Sequence, residues 1–160
     1  MNIGGYGVRE HVRLLAPLYG LIFAVWLLRW VLYSLDAPRG LVRALTVNGA
    51  TALAVLIAVG LIHFQCIGGY FNVILASILL IVWEQFLIVS AIVFSVMTGK
   101  INIFTEPEYS FPGYDPHHVK HILGQLTFGV GAGMLYGAAT SCLLLFLLRK
   151  LVPSRAKCEQ

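Results

Sequence analysis

An all-α fold, a bundle of four transmembrane helices with both termini on one side, is predicted by three observations. Four apolar stretches, residues 14–35, 44–64, 71–97 and 122–148, each reach the ~20 residues a helix needs to cross ~30 Å of hydrocarbon. Within them the formally charged side chains are Arg29 and Glu84. The chain as a whole is 59% hydrophobic and 11% charged, against soluble averages of about 45–50% and about 25%. A water-soluble fold would need polar faces on these helices, and the sequence provides none.

Residues 1–160 read as a single transmembrane domain, with the longest connection, 98–121, on the non-cytoplasmic side. The formal charge of +4 is dispersed in short basic flanks, which excludes nucleic acid as a partner. The expected surroundings are the lipid bilayer and either other membrane proteins or further copies of the chain. Cys66, Cys142 and Cys158 are far apart and form no CxxC, which argues against thiol–disulfide exchange and against a tetrahedral metal site.

The first span follows Arg9 and Arg13, is longer than a ~7–15-residue signal core and lacks a small-x-small cleavage site, so it reads as uncleaved. Residues 8–16 are expected along the interface, ahead of Pro17 at an early helical position. Trp26, Trp30 and Tyr33 read as headgroup-level rings. In span two, Ala50, Ala54 and Ala58 recur every fourth residue and admit a close neighbour. Gly68-Gly69 makes the turn into span three. Spans three and four are each about 40 Å long at ~1.5 Å per residue, so tilt or protruding ends are expected. Span four carries Gln125, Gly129, Gly133, Gly137 and Ser141 at intervals of four, a small-xxx-small stripe for helix packing.

Lys and Arg near the helix ends set the orientation. Arg9, Arg13, Arg149, Lys150, Arg155 and Lys157 share the side of the termini; Arg39, Arg43, Lys100 and Lys120 lie on the other. The bias favours cytoplasmic termini, and a bacterial inner membrane is the expected location.

The polar groups inside the spans are the candidate functional residues. At ~100° per residue Ser77, Ala91 and Ser95 each fall within ~20° of Glu84, so Glu84 should point into the bundle. An intramembrane carboxylate usually faces protein or water, because ionised at mid-bilayer it costs ~2.5 kcal/mol or more. It reads either as a proton- or cation-handling group or as a hydrogen-bonded packing residue. Arg29, roughly 7 Å further out at ~1.5 Å per residue, is its candidate partner, although neighbouring Trp26 and Trp30 favour snorkelling. With Asn48, Gln125, Ser77 and Ser95, these residues make a candidate polar pocket open to the non-cytoplasmic side.

Above it, Glu106-Pro107-Glu108-Tyr109-Ser110-Phe111-Pro112-Gly113-Tyr114-Asp115-Pro116 reads as a stiff aromatic hairpin on the membrane surface, with Asp115 an N-cap. His117 and His121 are i,i+4, a spacing a metal pair can use, with Glu106 or Glu108 as oxygen donors to Zn²⁺ or Cu²⁺. Interfacial histidines that anchor a span explain the same residues, and no cofactor is otherwise expected.

Three function classes follow. A non-enzymatic accessory or scaffold subunit, packing against lipid or other membrane helices, needs only the spans and the glycine stripe. A small transporter or channel component would use Glu84. A metal-dependent membrane enzyme at the outer face would use His117, His121, Asp115 and Glu108; the sequence shows no nucleophile with an activating base to favour it.

Overall fold

The computed structural model describes residues 2–3, 6–106, 115 and 118–152. A two-residue antiparallel pair, β1 (Asn2–Ile3) with β2 (Tyr6–Gly7), leads into the helices. Helices α1 (Val8–Ser34), α2 (Arg39–Ala44), α3 (Val47–Phe64), α4 (Tyr70–Thr98), α5 (Val119–Gly124) and α6 (Val130–Leu151) follow, with a π-helical turn, Gln125–Gly129, joining α5 to α6. Four helical stretches, Arg9–Ser34, Arg39–Phe64, Tyr70–Thr98 and Val119–Leu151, are long and apolar enough to cross a membrane.

The boundaries differ from the sequence reading in ways local chemistry explains. Helix α1 runs unbroken through Pro17; the proline withholds one donor from the Arg13 carbonyl, a loss a long apolar helix tolerates. The second stretch is interrupted at Leu45. Thr46 caps α3 by accepting the Gly49 N–H at 3.1 Å, and so starts a new helix instead of extending α2. Gly68 sits at φ +86°, where a side chain would strike Asn72, and this permits the tight entry to α4. Gly99 at φ +66° ends α4.

Both α1 and α6 pack on α3 and α4. The core is built from Leu15, Leu18 and Ile22 of α1, Ala54, Ala58 and Ile62 of α3, and Val73, Leu80, Ala91 and Ile92 of α4. In α3, Ala50, Ala54 and Ala58 are all buried, which lets neighbours approach that face.

Two polar clasps close the end where α1 and α4 begin and α3 and α6 finish. His11 Nε2 donates to Asn72 Oδ1 at 2.9 Å, joining α1 to α4; His63 Nε2 donates to the Val152 carbonyl at 2.9 Å, joining α3 to the end of α6. The Arg149 guanidinium lies 5.0 Å from the centre of the Tyr70 ring.

The opposite end is closed by the chain after α4. The Asn102 amide donates to the Ala91 carbonyl at 2.7 Å and accepts the Phe104 N–H at 2.9 Å. Ser95 donates to the Lys100 carbonyl at 2.5 Å and contacts the Thr105 hydroxyl at 3.0 Å. Ile103 and Phe104 are thereby folded inward and buried. The aromatic hairpin expected from Tyr109, Phe111 and Tyr114 lies outside the described residues.

This inward fold changes the reading of the first-span aromatics. Trp26 is buried, stacked on Phe23 at 5.6 Å and facing Phe104 at 6.5 Å, while Trp30 meets Phe94 edge-on at 5.1 Å. Trp26 thus packs on protein, because a segment distant in sequence returns to cover it.

Candidate functional site

Glu84 stands at the middle of α4 and is only 4% exposed. The stripe to which it belongs, Ser77, Glu84, Ala91 and Ser95, is buried along its length. Thr51 of α3 lines the same crevice as Glu84 and donates its hydroxyl to the Val47 carbonyl at 3.1 Å. One carboxyl oxygen of Glu84, Oε1, is buried with no hydrogen-bond partner among the described residues. A buried polar atom left in this condition costs ~1–3 kcal/mol, more when charged, so its position calls for a chemical reason.

The carboxyl forms part of the floor of a crevice of about 340 Å³ between α3, α4 and α6. Asn48, Ala52 and Leu56, four residues apart, run along its α3 rim, and all three are exposed. Exposed Tyr136 and Thr140 of α6 form the other rim, with Gly133 and Gly137 between them and the floor. Thr51, Val55 and Ile81 line the depth. The space therefore opens sideways, to the outside of the bundle, and not along its axis. Mostly apolar walls around a few convergent polar groups are the usual build of a small-molecule site.

The α6 wall exists because its glycines leave room. A Cβ at Gly133 would lie 2.9 Å from Ile81 Cγ2, and one at Gly137 would strike Ile81 Cδ1. What occupies the glycine face is the side chain of Ile81, a knob seated between two glycines. At Gly129 the neighbours are polar: a Cβ there would lie 2.5 Å from Gln85 Oε1 and 2.8 Å from Gln125 Oε1. Gln85 Oε1 is also buried without a hydrogen-bond partner among the described residues, beside the π-helical turn. A π turn realigns side chains within a helix and recurs at functional sites.

The remaining candidate residues are distributed around this centre. Asn48 is on the crevice rim. Ser77 donates to the Val73 carbonyl at 2.8 Å, and its Cβ lies near Gly137. Ser95 belongs to the loop closure, three turns from Glu84. Arg29, 7% exposed, lies over the Phe104 ring at 5.4 Å, so it is held within the fold where snorkelling was expected. Thr51, and not Arg29, lines the crevice with Glu84.

At the histidine turn, α5 begins at Val119, and Asp115 caps it from outside. Its carboxylate accepts the N–H groups of Val119, Lys120 and His121 at 3.0, 2.8 and 3.2 Å. His118 adopts φ +51° between them. His121 is buried, with its Nε2 3.4 Å from the Gln125 amide nitrogen and its ring 6.3 Å from that of His118. Glu106 lines a separate cavity of about 230 Å³ with Tyr33, Asp36, Arg39 and Arg43. His117 and Glu108 lie outside the described residues. Among the described residues no three His, Cys, Asp or Glu side chains gather as a metal set.

Gln85, Thr51 and the His11–Asn72 pair were not singled out in the sequence. Gln85 was visible as a polar residue inside an apolar span; the partners of the others come from distant helices and leave no local signal. No protein-family model matches the sequence, no curated protein matches it, and no solved structure matches its fold.

Proposed function

We propose that this chain is a small integral membrane protein that serves as a non-enzymatic accessory or scaffold subunit, presenting α6 to another membrane-spanning helix. The observation that carries this reading is the uneven use of the helices. In the most apolar part of α4, 50% of residues are buried, and in the α1 and α3 stretches 33% and 39%; in the stretch ending with α6 the figure is 11%. Ser141 and Leu145 are the buried residues of α6, while Leu135, Tyr136, Leu143 and Phe146 are all more than half exposed. Extraction of the native protein in mild detergent, followed by mass measurement of the intact assembly, tests the reading. A stoichiometric companion or second copy is expected, and its loss in a Leu135→Ala/Phe146→Ala variant. A wild-type protein that emerges as a bare monomer would remove the scaffold reading.

The Glu84 crevice favours a second reading, a transporter component in which the carboxylate handles protons or cations. It requires that Glu84→Gln abolish cation-dependent flux in proteoliposomes while the variant still accumulates and assembles.

The side of the membrane follows from the basic residues, which favour cytoplasmic termini by six to four. An impermeant maleimide that reaches Cys66, in the turn between α3 and α4 at the same end, in intact cells treated with reductant would reverse the assignment; protection of Cys66 until the cells are permeabilised is expected.

A further inference from the structure

We infer that the crevice between α3 and α6 is a binding site for a lipophilic amine, an ammonium head on an aliphatic tail, with the head at the Glu84 carboxylate. Three features of the crevice select that chemistry. The first is an acceptor, Glu84 Oε1, buried and without a hydrogen-bond partner among the described residues while the group as a whole is 4% exposed. None of the residues lining the crevice is cationic, so an ionised carboxylate there would take its counter-charge from what enters.

The second feature is the kind of polar group around it. Thr51, Thr140 and Asn48 supply hydroxyl and amide oxygens, acceptors suited to the remaining N–H bonds of an ammonium. A charged donor on a carboxylate makes a shorter and stronger bond than a neutral hydroxyl, and a low dielectric strengthens it further. The third is the direction of the opening. Val55, Leu56, Ile81 and Tyr136 lead from the floor to the outside of the bundle, where hydrocarbon surrounds an integral membrane protein. A tail can stay in that hydrocarbon while its head reaches the floor, so the ligand need not pass through water. The inference rests on the membrane reading and on the crevice geometry, and it stands whether or not the chain transports anything.

The test is equilibrium binding of radiolabelled dodecylamine to the full chain in nanodiscs of zwitterionic lipid, with empty discs subtracted. Saturable binding is expected for the wild type, with dodecanol unable to compete. Glu84→Gln removes the charge and should weaken binding about tenfold or more. Ala52→Phe places a ring at the exposed rim, away from the core, and should weaken binding to a similar degree by occlusion; it tests the site even if Glu84→Gln fails to fold. Absence of saturable binding, or affinity unchanged in a folded Ala52→Phe variant, would overturn the site. Equal competition by dodecanol would overturn the assignment to an amine. Loss of binding with assembly retained would separate this site from the scaffold face of α6, and the reverse result would condemn the crevice alone.

Discussion

Helices α4 and α6 are alike in sequence character and opposite in use. Both are long and apolar, and each belongs to a stretch capable of crossing a membrane. Half of the most apolar part of α4 is buried by the other helices, and it carries Asn72, Ser77, Glu84, Gln85 and Ser95 inward. Helix α6 touches the bundle through Gly133, Gly137, Ser141 and Leu145 and leaves most of its surface outside. The difference is the one expected of a chain surrounded by lipid, where apolarity alone does not decide burial. Small residues on one face of α6 receive Ile81; large residues elsewhere on it have no reason to turn inward.

The contrast can be broken most severely at its seam. Gly133→Leu forces a branched side chain against Ile81, which is itself buried, and should cost about 3 kcal/mol, read as loss of folded protein and a lowered thermal midpoint in detergent. Normal stability in that variant would contradict the seating of Ile81 between the glycines. A smaller loss is expected at the polar clasp between α1 and α4. His11→Ala leaves the Asn72 oxygen, in a side chain 1% exposed, without its 2.9 Å donor and should cost about 2 kcal/mol in the same assay. Leu135→Ala, on the outer face, should leave the thermal midpoint of the isolated chain unchanged while reducing recovery of a companion. The smallest effect sharpens the comparison from the same helix. Nothing lies within 4 Å of a Cβ at Gly131, so Gly131→Ala should be neutral or stabilise by up to about 1 kcal/mol through helix propensity. If Gly131→Ala and Gly133→Leu cost the same, the two sides of α6 are not distinct.

What could be read in advance followed from periodicity within one helix. Apolar runs located the four long helical stretches, and a ~100° repeat grouped Ser77, Glu84, Ala91 and Ser95 on one side of α4. Contacts between segments distant in sequence could not be read that way. Trp26 and Arg29 resemble interfacial residues until Phe104, from beyond α4, folds over them. Thr51 shares a crevice with Glu84 only because α3 and α4 adopt a particular rotation against each other. The break at Thr46 has a recognisable cap residue, yet its apolar neighbours concealed it. The π turn at Gln125–Gly129 has no composition of its own; the side chains of Gln85 and Gln125 lie beside its Gly129.

The central claim is that the outer face of α6 meets another polypeptide while the other exposed faces meet lipid. Photo-crosslinking in the native membrane tests it directly, with benzoylphenylalanine placed in turn at Leu135 on α6, Leu28 on α1 and Leu53 on α3, all exposed. The account predicts a discrete protein adduct from position 135 and none from the other two. Adducts of equal yield from all three positions, or none from position 135, would contradict it.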